Sequence, residues 1–124
     1  MYRNIMYIRM MYSKELVKGT LNAIVLNLLS ENGRMYGYEI FSRVKQMTDK
    51  KILLKDGSLY PALKKLTALG FLTTEEETVS GRKRKYYKIT EEGSLRKSEY
   101  LLEIKDFFKT MDKVLSPKTS ESWS

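Results

Sequence analysis

The stretch Ser58-Leu59-Tyr60-Pro61-Ala62-Leu63-Lys64-Lys65-Leu66, closed by Leu69-Gly70, decides the fold. At about 100° per residue from Ser58, the side chains of Leu59, Ala62, Leu63, Leu66 and Leu69 fall in one arc of roughly 120°. Tyr60, Pro61, Lys64 and Lys65 fall outside it. The spacing predicts an amphipathic helix with leucine inside and an aromatic, basic outer face. Asp56 or Ser58 can cap its start. Pro61 is expected in the first turn, where its missing N–H breaks no helical bond.

Two helices are predicted before this one. Ser13 can cap the first, whose apolar positions Leu16, Val17, Leu21, Ile24, Val25, Leu28 and Leu29 form one stripe, with Gly33 at its end. The second begins near Gly37 and buries Ile40, Phe41, Val44 and Met47. After Gly70, Phe71–Val79 reads as a strand that leaves the core through Glu75, Glu76 and Glu77. Ser80-Gly81 is a turn signal, and Arg82–Thr90 returns with Tyr87 and Ile89 on one side and Arg84, Tyr86 and Lys88 on the other. Thr90 can cap a last helix, with Glu91 and Glu92 complementing its dipole. That helix carries Leu101, Ile104, Phe108, Met111 and Leu115 at steps of three and four, flanked by Tyr100, Phe107 and Val114.

The division expected is an extension over 1–12 of open role, a helix–hairpin body over 13–90, a helix over 91–115 and a disordered tail over 116–124. A misplaced start codon accounts for residues 1–12 as well as an extra element does, because four methionines lie in the first eleven residues.

Composition narrows the function. The 124 residues are 42% hydrophobic and 31% charged, a globular mix and not a disordered one. No Cys and no His are present, which removes disulfides, thiolate chemistry, the commonest zinc ligand and any Ser-His triad. An enzyme is therefore not expected, nor a cofactor or a metal. No apolar run is long enough to span a membrane, and a cytoplasmic protein is expected. The net charge of +8 points to a polyanion, nucleic acid before an anionic membrane surface. The charge is localised: residues 1–90 carry 17 basic and 8 acidic side chains, whereas residues 91–124 carry 6 and 7.

Three helices followed by a hairpin is the order of a winged helix-turn-helix, a mainly helical α+β fold whose third helix can enter a major groove. Ser58, Tyr60, Pro61, Lys64 and Lys65 are the candidate DNA contacts on that helix. Arg82, Lys83, Arg84 and Lys85 form an uninterrupted basic run suited to phosphates, and the Tyr86 hydroxyl can join them. The last helix presents Tyr100, Leu101, Ile104, Phe107, Phe108, Met111 and Leu115 over an arc wider than one body covers, so a homodimer through this helix is expected. The competing reading is a protein-interaction module that uses the last helix and binds nucleic acid incidentally; such a module has no need of the run at 82–85.

Three blocks carry a family resemblance. They are Gly37-Tyr38-Glu39-Ile40, then Gly57-Ser58-Leu59-Tyr60-Pro61-Ala62-Leu63-Lys64-Lys65-Leu66 with Gly70-Phe71-Leu72, then Gly81-Arg82-Lys83-Arg84-Lys85-Tyr86-Tyr87-Lys88-Ile89-Thr90-Glu91-Glu92-Gly93. At these spacings the chain resembles the PadR family of transcriptional regulators from about Leu16 to Leu115, and its single last helix is similar to the smaller subfamily. The resemblance implies a homodimeric winged-helix repressor on a pseudo-palindromic operator in double-stranded DNA. It also implies a small aromatic or drug-like effector near the dimer contact. Some members stack that ligand on a Trp of the last helix; here the only Trp is Trp123, in the tail.

Overall fold

The computed structural model describes residues 11–117. Most of the expected extension, most of the expected tail and Trp123 lie outside those residues. The order is α1 (Lys14–Lys18), α2 (Leu21–Asn32), β1 (Met35–Tyr36), α3 (Gly37–Met47), α4 (Asp56–Ala68), β2 (Leu72–Val79), β3 (Arg82–Ile89) and α5 (Glu91–Leu115). The strands form one antiparallel sheet in the order β1-β3-β2. This is the mainly helical winged-helix architecture that the sequence implies.

The core is a cluster of leucines from α2 and α4, with Ile40 and Val44 of α3, Leu72 of β2 and Tyr87 of β3. Leu59, Leu63 and Leu66 of α4 are fully buried, as their shared arc requires. Ser13 accepts the Leu16 N–H and starts α1. The Thr90 hydroxyl accepts the Gly93 N–H at 3.0 Å and donates to the Gly70 carbonyl at 2.8 Å, so one residue caps α5 and ties it to the end of α4. Ser80 and Gly81 both have positive φ (52° and 79°), the two-residue turn whose twist suits a hairpin.

Several expectations are corrected. The first predicted helix is two helices, broken at Gly19-Thr20, and Leu16 points to solvent. Apolar period alone does not see a break that falls between stripe positions. Met47 and Leu69 are likewise exposed, because each lies in the last turn of its helix or just beyond it, where the core has ended. Lys55, not Asp56 or Ser58, occupies the cap position of α4 and makes no side-chain cap bond. Pro61 consequently lies in the second turn. The Gly57 carbonyl, four residues earlier, loses its helical donor, but both residues are exposed and water can replace it. The expected two-stranded hairpin is a three-stranded sheet, because Met35 and Tyr36 pair with Tyr87 and Tyr86.

Glycine decides two close approaches. A Cβ on Gly93 would strike the Phe71 carbonyl and the Ile89 side chain, so the start of α5 lies directly on the β2 entry. A Cβ on Gly37 would strike the ring and hydroxyl of Tyr60, so the N-terminus of α3 abuts α4. Farther along, α5 leaves the body: Tyr100 packs against the core, whereas Leu102, Phe107, Phe108, Val114 and Leu115 are exposed. At 25 residues, α5 is about 37 Å long. No helix among the described residues is long and apolar enough to cross a membrane.

Candidate nucleic-acid interface

The outer face of α4 keeps the side chains that its sequence pattern excludes from the core. Tyr60, Pro61, Lys64 and Lys65 are all exposed. Ser58 is half-buried and turns away from Tyr60 by about 160° at helical spacing. It lines a groove of about 760 Å³ between the Tyr12–Lys18 segment and the loop that enters α4. Exposure thus sets four of the five predicted α4 contacts apart from half-buried Ser58.

The basic run is divided by the strand's alternation. Lys83 and Lys85 share a face of β3 with Tyr87, which is buried against the body. The Lys85 ammonium lies 6.0 Å from the Tyr87 ring centre. Burial, and secondarily the charge of nearby Tyr60, pushes the Tyr87 hydroxyl above the usual phenol range. Lys83 and Lys85 therefore project from the face of the strand that is turned to the helical body. Arg82, Arg84 and Tyr86 project from the opposite face.

That opposite face holds two residues the sequence reading missed, Arg34 and Tyr36. The Arg34 guanidinium lies 4.1 Å from the centre of the Tyr86 ring, and Tyr86 meets Tyr36 edge-on, with centroids 5.4 Å apart at 81°. Arg84 lies 4.6 Å over Tyr36, completing a row of two rings with a cation at each end. Tyr86 is consequently half-covered, with its ring committed to packing. Arg34 also bonds Glu75 at 3.0 Å and Glu77 at 2.5 Å. First Glu77 and then Glu75 hold its guanidinium further above its ordinary value. A two-residue strand is too short to leave a periodic signal. The clue available was that Glu75 and Glu77 share one face of a strand and call for a cation.

The predicted dimer residues divide by exposure into two sets. Tyr100, Leu101, Ile104 and Met111 are half-buried, whereas Phe107, Phe108 and Leu115 are 52%, 55% and 72% exposed. The Phe107 and Phe108 rings lie 6.3 Å apart. Among the described residues no cluster of acidic side chains could hold a metal ion, and the whole chain has no His or Cys.

Comparison with known proteins agrees with this geometry. The model of the transcriptional regulator PadR-like family matches residues 25–99, from α2 into α5. An uncharacterized protein X of Lysinibacillus sphaericus is 34% identical over 94 residues, covering 75% of this chain and 85% of that protein. A transcriptional regulator from Clostridium thermocellum superposes with a TM-score of 0.77 at 29% identity, over 83% of this chain and all (100%) of the other. A PadR family transcriptional regulator from Eggerthella lenta gives a TM-score of 0.69 at 32% identity, over 82% and 87% of the two chains. With the family match spanning more than half of its length and solved regulators sharing its fold, the chain belongs to the PadR-like family of transcriptional regulators and is not an enzyme.

Proposed function

We propose that the protein is a cytoplasmic, homodimeric repressor that binds a pseudo-palindromic operator in double-stranded DNA and is released by a small aromatic or drug-like effector. Residues 13–90 act as the DNA-binding domain and residues 91–115 as the dimerisation helix. The observation that carries the reading is that Tyr60, Lys64 and Lys65 of α4 and Lys83 and Lys85 of β3 are all exposed, so that helix and hairpin each offer cations to solvent. A helix with that outer face fits a major groove, and the hairpin then reaches the adjacent backbone. Tyr60, Pro61 and Lys64, with Ser58 at their edge, meet base edges. Lys65 and the run Arg82–Lys85 meet phosphates, which release counterions on binding, and the Tyr86 hydroxyl adds to them.

Support for the dimer is the exposed apolar surface of α5 from Leu102 onward. Leu102, Phe107, Phe108, Val114 and Leu115 are too many large apolar side chains to leave in water on one helix, and a second copy about a two-fold axis is the natural cover. The effector reading draws on Tyr100, Phe107 and Phe108 along the same helix, aromatic surfaces on which a flat ligand can stack. The test is capture of genomic fragments by the purified protein, followed by sequencing. A motif with two half-sites about 10 base pairs apart, or a multiple of that, supports the reading. Enrichment of the protein's own promoter would add autoregulation. Recovery of fragments in proportion to their abundance would contradict it.

A further inference from the structure

We infer that Arg34 is a positioning residue for DNA binding: it holds the wing carboxylates Glu75 and Glu77 so that the cations on their face of the wing, Arg82, Arg84 and Lys88, stay unpaired and free for phosphates. The inference rests on the reading above that the wing contacts DNA.

The wing is not purely basic. Strand β2 carries Glu75, Glu76 and Glu77 alongside the run on β3, and the register places Glu77 opposite Arg84 and Glu75 opposite Tyr86. Opposite residues in an antiparallel pair lie about 5 Å apart and share a face. On that face Glu77 is therefore next to Arg84, with Arg82 on its diagonal, and Glu75 has Arg84 and Lys88 on its diagonals. By position alone, these carboxylates would pair with the wing's own cations.

They do not. Both are taken by Arg34, which reaches across from the link between α2 and β1. Neither Arg82, Lys83, Arg84, Lys85 nor Lys88 makes an ion pair among the described residues. Arg84, directly across from Glu77, lies over the Tyr36 ring instead. A guanidinium suits this task because its planar fork has enough donors to serve two acceptors at once, while its face stacks on Tyr86. A lysine ammonium has neither the fork nor the flat face.

The test compares four proteins on one operator fragment and one random fragment over a range of salt: wild type, Arg34→Ala, Glu75→Gln with Glu77→Gln, and the triple combination. If one wing cation is captured when Arg34 is lost, Arg34→Ala lowers the slope of log affinity against log salt by about 0.9 per wing. At 0.1 M salt that corresponds to roughly eightfold weaker binding. The triple variant regains wild-type affinity and slope, because neutral amides capture nothing. The Glu-to-Gln pair alone binds at least as tightly as wild type.

A triple variant as weak as Arg34→Ala would overturn the inference, because Arg34 would then act only as a brace through Tyr86. Wild-type binding by Arg34→Ala would overturn it as well. Should Arg34→Ala fail to fold by circular dichroism, Arg34→Lys takes its place, with the same rescue expected and the same failure decisive. Substituting Arg82, Lys83, Arg84 and Lys85 together separates this inference from the reading beneath it. If that leaves DNA binding intact, the wing does not contact DNA and both fail. If it weakens binding while the carboxylate rescue fails, only the role of Arg34 fails.

Discussion

Replacing Lys83 and Lys85 together by alanine removes two positive charges from the side of the wing shared with Tyr87 and leaves the row of Arg34, Tyr86, Tyr36 and Arg84 in place on the other. Both lysines are exposed and neither is in an ion pair, so their loss is expected to leave the fold intact. If each neutralises one phosphate, the slope of log affinity against log salt falls by about 1.8 for each wing engaged. Taken as counterion release from a 1 M reference, each wing engaged contributes about 200-fold weaker binding at 50 mM salt and about 20-fold at 200 mM. The matched control is Lys105→Ala with Lys109→Ala, the same charge change on the exposed outer part of α5. A charge more than about 10 Å from the duplex is largely screened at 0.1 M salt, so the control is expected to keep the wild-type slope. Fluorescence anisotropy on a labelled duplex at five salt concentrations reads both. Equal slopes for the wing variant and wild type would refute the placement of these lysines on phosphates. Equal losses in both variants would reduce their effect to net charge.

Three further outcomes follow from particular contacts. Gly57 and Gly93 both lie in helices, where alanine is intrinsically better by about 1 kcal/mol. Gly57→Ala has open space and is expected to raise the melting temperature, whereas Gly93→Ala meets the Phe71 carbonyl and is expected to lose about 1–3 kcal/mol. A Gly93→Ala protein that melts no lower than wild type would remove α5 from its seat on the β2 entry. Ile104→Asp and Phe108→Asp each put a charge into the proposed dimer seam, at a cost of several kcal/mol if it is sealed. Light scattering at micromolar concentration is expected to give twice 14.6 kDa for wild type and 14.6 kDa for the variants. Two folded variants that stay dimeric would move the seam elsewhere. Lys64→Ala is expected to narrow the gap between operator and random DNA by about 1–3 kcal/mol, and by more than Arg84→Ala does. Equal losses on both DNAs would make Lys64 a backbone contact.

The helical part of the fold was legible because burial imposes a period. Leu59, Leu63 and Leu66 declared α4, and Ser13, Thr90 and Ser80-Gly81 declared boundaries through capping and turn chemistry that acts within a few residues. What stayed hidden depends on distance along the chain. Strand β1 exists only because Tyr86 and Tyr87 are there to pair with it, some fifty residues later. The Arg34 pairs with Glu75 and Glu77 span 41 and 43 residues. Exposure at Leu16, Met47 and Leu69 depends on where the body stops covering a helix, which periodicity does not encode. At the site, the exposed face of α4 was readable from angles alone. The division of the basic run was half-readable: alternation separates Lys83 and Lys85 from Arg84 and Tyr86, but only the packing of Tyr87 says which face is turned to the body.

The claim that α4 reads a major groove is tested most directly by dimethyl sulfate protection on the captured operator, since the reagent methylates guanine N7 in the major groove. The account predicts two protected guanine patches about one helical turn apart or a multiple of that, on one side of the duplex, both lost in Lys64→Ala bound at saturation. Saturating wild-type protein that leaves every guanine N7 reactive would contradict it.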